Sequence, residues 1–214
     1  MKVSLLSAGL ARYYSSDQLR RLASVRVGIA GAGGLGSNCA MLLARSGVRR
    51  FVLADFDRVE ASNLNRQFYF TSDIGCGKVE ALERNLRLID PELELTLVAQ
   101  RLEADTLPFV FQDCSIIVEA LDAPEYKAML GNYFTRQDMN VFFVCASGLG
   151  GYGKAPMQSR RIGPNMVCVG DFLTEANNQN PPLAPRVVQA AAMQADAVLA
   201  YILGGQGTAK ESER

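Results

Sequence analysis

The chain contains no histidine and no closely spaced pair of cysteines. Without histidine among its 214 residues, a Ser-His-Asp triad, a Cys-His pair and histidine metal ligands are all excluded. No C-x-x-C pair is present, so the usual zinc knuckle is excluded and no zinc is expected. An odd number of cysteines without a disulfide framework suits a reducing compartment, so we predict a cytoplasmic protein. The cysteines are Cys39, Cys76, Cys114, Cys145 and Cys168.

The chain also lacks a net charge, because 22 basic side chains balance 22 acidic ones. No global field therefore favours nucleic acid or an anionic membrane, and we predict neither as a partner. The apolar run within residues 1–10 is too short for a signal peptide or a membrane span, and Ser7 and Gly9 interrupt it. Any site that binds an anion must then use a local cluster of basic side chains.

Apolar runs alternate with helical patterns along most of the chain. We predict strands over 25–30, 50–54, 93–99, 115–119 and 141–145, with helices over 35–45 and 78–89 and a third opening at Pro124. This order predicts an α/β fold with a doubly wound, mostly parallel, Rossmann-like sheet. Toward the C-terminus we expect short antiparallel strands over 157–162 and 166–169, an irregular stretch over 177–185 and a final helix over 186–203. We predict that a helical arm over 1–24 begins a single domain over 1–205 and that 206–214 form a flexible tail.

A glycine-rich loop separates the first predicted strand from the first helix of the sheet. Gly31, Gly33 and Gly36, with Gly34 among them, satisfy G-x-G-x-x-G. Such glycines allow a tight turn and close backbone approach to phosphate at a helix N-terminus. Asp55 follows Gly36 by 19 residues, the spacing of a carboxylate that binds a ribose hydroxyl. The alternative is that the glycines only pack helix on strand.

A polar loop and a lysine follow the acidic residue. The loop over 62–68 reads S-N-L-N-R-Q-F, and Lys78 lies twelve residues after Arg66 at a helix start. Arginine offers a fork of donors and lysine a compact charge, which suits β- and γ-phosphate oxygens. The alternative is a solvated pair. A dinucleotide oxidoreductase would need a Tyr or Lys proton donor and leaves this loop unexplained.

Asp122 follows the apolar strand predicted over 115–119. A carboxylate at the carboxyl end of a parallel strand lies on the ligand side of such a sheet. With ATP bound it would hold Mg²⁺, which takes one or two carboxylates plus phosphate oxygens. An N-cap for the helix at Pro124 is the alternative, and both roles can coexist.

These motifs, together with D-F-D at 55–57 and D-I-G at 73–75, resemble the ThiF/MoeB/HesA family, kin of ubiquitin-activating enzymes. The resemblance covers about residues 25–203 and is greatest to short ThiF-type proteins without zinc. It implies adenylation of the C-terminal Gly-Gly carboxylate of a ubiquitin-like sulfur carrier, with ATP and Mg²⁺ and release of pyrophosphate. A carboxylate is already an anionic nucleophile, so the enzyme supplies alignment and charge neutralisation rather than a general base.

The resemblance also implies roles for particular residues. Asp55 would bind the ribose, and Asp122 would lie at the magnesium. The positions that match the family's other cofactor-binding and phosphate-holding residues are Gly31, Gly33, Gly34, Gly36, Asp57, Asn63, Arg66, Gln67 and Lys78.

Three stretches depart from the family pattern. The family's D-x-x-D-N is E-A-L-D-A at 119–123, which affects the magnesium and carrier contacts. The R-Y-x-R stretch that supplies an arginine to a partner subunit is R-Y-Y-S at 12–15, so Arg12 is the expected substitute, with Arg20 or Arg21 behind it. Some relatives use a cysteine before the last helix for thiol chemistry. Cys168 lies nearby but in a buried-strand pattern, so a structural role is expected. Sulfur transfer by Cys168 or Cys76 is the open alternative.

We therefore predict a homodimeric adenylyltransferase for a ThiS-like carrier in thiamine thiazole biosynthesis, with the carrier tail along residues 148–153. Three alternatives stay open: a molybdopterin-type carrier or tRNA as acceptor, an NAD-dependent oxidoreductase, and a nucleotide-binding protein without catalysis.

Overall fold

The computed structural model describes residues 4–136 and 140–204. Its strands are β1 Arg26–Ala30, β2 Arg50–Ala54, β3 Glu94–Val98, β4 Ile116–Glu119, β5 Phe142–Ala146, β6 Gln158–Arg161 and β7 Met166–Gly170. They form one sheet in the order β3-β2-β1-β4-β5-β7-β6. All neighbours run parallel except β6 and β7, so the prediction of a mostly parallel sheet with a short antiparallel pair is confirmed. Beyond that prediction, β7 also extends the parallel sheet through β5.

The α-helices of the described residues are α1 Leu5–Leu10, α2 Ser16–Ser24, α3 Gly34–Arg45, α4 Lys78–Arg87, α5 Leu107–Val110, α6 Pro124–Phe134 and α7 Ala184–Gly204. The N-terminal arm that we predicted to be helical consists of two helices, α1 and α2. It breaks because Ser15 and Gln18 form a capping box that starts α2 anew. The predicted tail over 206–214 lies outside the described residues.

The two faces of the sheet carry separate apolar layers, as residues that alternate along each strand require. Ile29, Leu53 and Val118 pack with the helices α3, α4 and α7, whereas Val52 and Ile117 pack with α5 and α6. Helices therefore cover both faces, which explains why the strands are apolar throughout.

The helix α7 is the one segment of the described chain that is long and apolar enough to cross a membrane by length and composition. A buried core helix passes the same test. Val187, Ala191 and Val198 of α7 are buried in the layer beside α3.

The strand order reverses between β1 and β4, and ligands of such sheets bind outside the carboxyl ends at that point. Backbone hydrogen bonds join the strand ends there. Ala120 N–H donates to Ala30 O at 2.9 Å, and Gly31 N–H donates to Ala54 O at 2.8 Å. The segments that follow β1, β2 and β4 thus meet at one edge.

Candidate functional site

The glycine loop turns directly from β1 into α3. Gly31 has φ +99°, and a Cβ there would lie 2.6 Å from Ala120 O. A Cβ on Gly36 would lie 1.8 Å from Gly31 O, so neither position admits a side chain. At Gly33, by contrast, the nearest atom is Gln67 Nε2 at 3.8 Å. The space in front of the loop is open at the first turn of α3, where phosphate oxygens bind.

Asp55 follows β2, and the backbone holds its carboxylate. Ala32 N–H donates to Oδ2 at 2.7 Å and Asp57 N–H donates to Oδ1 at 2.9 Å. Burial raises the pKa of Asp55 above its ordinary value, although Lys78 and the two backbone hydrogen bonds oppose the shift. The carboxylate ties the glycine loop to β2, and each oxygen keeps a lone pair for a further donor such as a ribose hydroxyl.

Lys78 begins α4 and lies against both acidic residues. Its Nζ donates to Asp57 Oδ2 at 2.7 Å and lies 3.8 Å from Asp55 Oδ2. The chain between them closes on itself, since Lys78 N–H donates to Asp57 O and Val59 N–H to Cys76 O, each at 2.9 Å. The Lys78 side chain is 9% exposed, whereas Asp57 is 49% exposed. A polyphosphate would therefore compete with Asp57 for a nearly buried ammonium group.

Arg66 and Asn63 shape the polar loop after β2. Arg66 is half-buried, and its Nη1 donates to Ser62 O at 3.1 Å and to Asn65 Oδ1 at 2.7 Å. Asn63 is buried, and its Oδ1 accepts Glu60 N–H at 3.0 Å. In this structure Asn63 stabilises the turn, while Arg66 keeps guanidinium donors for another acceptor.

Gln67 and Gly34 connect the loop to the glycine-loop helix. Gln67 is buried, and its Oε1 has no hydrogen-bond partner. An unpaired buried polar group costs roughly 1–3 kcal/mol, so hydrogen-bonding capacity is left unused beside the glycine loop. A Cβ on Gly34 would lie 2.7 Å from Val187 Cγ1 and 3.5 Å from Arg66 Cγ. Gly34 therefore permits close packing of three segments.

Two buried side chains that no local pattern marked hold this arrangement. Asn38 Nδ2 donates to Gly34 O at 2.7 Å and to Arg66 O at 2.8 Å. The Tyr69 hydroxyl donates to Ala32 O at 2.7 Å. Both side chains join the polar loop that contains Arg66 to the glycine loop.

Asp122 lies beyond β4 as an exposed carboxylate without a partner among the described residues. It is not the N-cap of α6, because Ala123 occupies that position. Glu119 occupies the position of the first aspartate in the family's D-x-x-D-N stretch. It is buried, and it accepts hydrogen bonds from Lys127 Nζ at 2.9 and 3.0 Å and from Leu121 N–H at 2.8 Å. Glu119 thus stabilises the turn and leaves Asp122 as the free acid.

No group of three or more His, Cys, Asp or Glu side chains within the described residues could hold a metal ion. Magnesium in nucleotide sites keeps phosphate oxygens and waters as ligands besides one or two carboxylates. Asp122 therefore fits a magnesium site only together with a bound polyphosphate.

An aromatic and cationic cluster lies beside Asp55. The Arg101 guanidinium lies 4.7 Å from the Phe56 ring centroid and 5.8 Å from that of Tyr126, and Nη1 donates to the Tyr126 hydroxyl at 3.0 Å. These residues follow β2, β3 and β4, so only the fold brings them together.

Within the described residues, no contact joins the arginines predicted to act in a partner subunit to Asp55, Lys78 or Asp122. Arg12 is exposed between α1 and α2, and its side chain has no bonding partner in the part of the chain that is described. Arg20 and Arg21 pair with Asp17 at 3.3 and 2.7 Å. An arginine that reaches the site of a partner subunit stays a prediction.

The loop proposed for the carrier tail is itself covered. Gly150 N–H donates to Thr174 O and Gly151 N–H to Pro181 O, each at 3.0 Å. The covering segment ends in a buried ion pair of 2.6 Å between Asp171 and Arg186. A tail along 148–153 would have to bind elsewhere on the loop or displace this segment.

Hydrogen bonds outweigh burial at the acid of that pair. Burial raises the pKa of Asp171. The hydrogen bonds from Thr174 and Leu173, together with the charge of Arg186, lower that pKa by more than burial raises it. The net pKa lies below the ordinary value.

A glycine loop, a buried carboxylate and a lysine at the reversal of a doubly wound sheet define a nucleotide-binding α/β protein. More specifically, the chain belongs to the ThiF family, whose model matches residues 6–213.

Two curated relatives are 30% identical to this chain over the residues that align. It is 30% identical over 181 residues, 84% of this chain, to the tRNA threonylcarbamoyladenosine dehydratase of Escherichia coli. It is also 30% identical over 191 residues, 86% of this chain, to the sulfur carrier protein ThiS adenylyltransferase of Bacillus subtilis. The chain spans 62% and 56% of the lengths of these proteins.

Among solved structures, that E. coli dehydratase in complex with AMP superposes with a TM-score of 0.83. The alignment covers 95% of this chain and 98% of that one at 22% identity. This likeness concerns the fold.

Proposed function

We propose that the protein uses ATP and Mg²⁺ to adenylate the C-terminal Gly-Gly carboxylate of a ThiS-like sulfur carrier. One observation carries the proposal: the Lys78 ammonium, nearly buried and 3.8 Å from Asp55, lies in the cluster that Asp55 ties to the glycine loop. A ribose site beside a cation for outer phosphates suits ATP better than a dinucleotide. Membership in the ThiF family favours the same chemistry over the oxidoreductase alternative.

In this proposal the first turn of α3 binds phosphate oxygens, and Asp55 binds the ribose. Lys78 and Arg66 hold the β- and γ-phosphates, and Asp122 is the protein ligand of Mg²⁺. A carboxylate oxygen of the carrier attacks the α-phosphorus, the bond to the β-phosphate oxygen breaks, and pyrophosphate leaves. The protein's part is to align the reactants and neutralise charge.

A second acceptor is favoured by the relative that acts on tRNA threonylcarbamoyladenosine, because this nucleoside also carries a carboxylate, that of its threonine. The balanced charge of the chain is the argument against tRNA. The thiamine pathway, the homodimer and the cytoplasmic location belong to the proposal for the carrier.

ATP–pyrophosphate exchange tests the proposal. We expect exchange that depends on a Gly-Gly carrier and is lost in Arg66→Ala and Asp122→Ala. Asp122 has no partner among the described residues, so its variant should keep the wild-type unfolding temperature. Arg84→Ala, which removes an arginine from the outer face of α4, is the matched control and should exchange normally.

Each other outcome has a meaning. Exchange stimulated only by tRNA that carries threonylcarbamoyladenosine would replace the carrier by the tRNA. ATP binding without exchange for either acceptor would indicate a non-catalytic protein. Normal exchange in Arg66→Ala and Asp122→Ala would overturn the site assignment.

A further inference from the structure

Two of the five cysteines lie directly opposite each other in the sheet. Cys145 of β5 and Cys168 of β7 are register partners in a parallel pair, so their side chains point to the same face. Neighbouring strands lie about 4.8 Å apart, which falls inside the range of about 4.4–6.8 Å between Cα atoms that a disulfide spans. The two thiols are free, and each shifts the pKa of the other.

The groups around the pair make one of the two thiols, Cys168, easier to deprotonate than the other. The hydrogen bond from Cys145 lowers the pKa of Cys168, and the charges of Lys127 and Arg160 add to this, whereas burial and Glu119 oppose it. The same hydrogen bond and burial raise the pKa of Cys145. Lys127 is held in place, because its Nζ also donates to the carbonyl of Ala146 at 3.3 Å. Cys168 is therefore the more acidic thiol of the pair.

The other three cysteines lack this arrangement. Burial raises the pKa of Cys39 and of Cys114 to about 12 each. Cys76 is half-buried and contacts Arg84 rather than another thiol. These three serve as internal references for any thiol reaction of the folded chain.

We propose that Cys145 and Cys168 are a redox site that a peroxide converts reversibly into an intrachain disulfide. The Cys168 thiolate attacks one peroxide oxygen, the O–O bond breaks, and hydroxide leaves a sulfenic acid behind. Cys145 sulfur then attacks Cys168 sulfur, and the S–O bond breaks. The departing hydroxide takes the Cys145 proton. Two thiols and one hydrogen peroxide give one disulfide and two waters.

The fit of the pair also explains why the bond is reversible. In parallel register the Cβ atoms stay about as far apart as the strands, about 4.8 Å. Disulfides have Cβ atoms about 3.8 Å apart, so we expect a bond that a thiol reductant breaks readily. Cys145 is half-buried and Cys168 is 7% exposed, so a small oxidant is the fitting partner.

Peptide mapping of the wild-type protein tests the proposal without a variant. The reduced protein is treated with hydrogen peroxide, blocked with N-ethylmaleimide under denaturing conditions and digested with trypsin. Lys154, Arg160 and Arg161 separate the two cysteines, so a disulfide links two tryptic peptides. We expect this link to form at least about ten times faster than Cys39 and Cys114 lose their thiols, and dithiothreitol to remove it.

Three results would overturn the proposal. The first is a pair that still reacts fully with N-ethylmaleimide after Cys76 has been oxidised. The second is over-oxidation of Cys168 without a link, and the third is a link between two chains, seen on a non-reducing gel. In Cys145→Ser we expect dimedone to trap a sulfenic acid at Cys168, and its absence there would refute the order of attack.

Discussion

The variant Lys78→Met tests whether the ammonium at the start of α4 holds the outer phosphates of ATP. A hydrogen bond between charged groups contributes about 1.5–3 kcal/mol. To reach a phosphate, Nζ must loosen its 2.7 Å contact with the half-exposed Asp57. Such a pair is worth about 0.2–1 kcal/mol. The net loss is about 0.5–2.8 kcal/mol, or about 2- to 110-fold in Kd for ATP.

Isothermal titration with ATP and with AMP measures this loss directly. AMP has no outer phosphates, so Lys78→Met should change its Kd by less than about threefold. The matched control is Arg84→Met. It removes a cation of the same helix, and this cation pairs with Asp73 at 3.1 Å and not with Asp55 or Asp57. It should change neither Kd. Equal losses for ATP and AMP, or an ATP affinity that stays unchanged, would refute the assignment of Lys78.

Three further predictions concern stability. Arg186→Met leaves the buried Asp171 carboxylate without its counter-ion and should lower the free energy of unfolding in urea by about 3–5 kcal/mol. A loss under 1 kcal/mol would contradict this. Gly36→Ala forces a Cβ to within 1.8 Å of Gly31 O and should lower the unfolding temperature by several degrees. The control is Gly153→Ala, where no atom lies within 4 Å of the added Cβ. Because Gly153 has a positive φ of +59°, this control should lose only the stability that its backbone strain costs. The lowered pKa of Asp171 means that its contribution is complete above about pH 4 and is lost as pH falls through the folded pKa. Asp171→Asn should therefore flatten the acid limb of the stability profile, and an unchanged limb would contradict this.

The sequence alone determined the layers of the fold and the class of ligand. Strands buried on both faces must be apolar throughout, so the runs that became β1, β2 and β4 were visible without coordinates. Gly31 and Gly36 were equally visible, because a left-handed turn and a backbone contact of this closeness exclude any Cβ. Such local requirements act on residues near one another in the chain.

Only the tertiary structure decided which partner each polar group meets. Lys78 pairs with Asp57 because the intervening loop closes on itself, and Glu119 is buried under Lys127 while Asp122 stays free. The pairing of Cys145 with Cys168 depends on strand register. These contacts join residues 8 to 23 positions apart, and their geometry comes from loop closure and strand order, for which the sequence carries no local pattern.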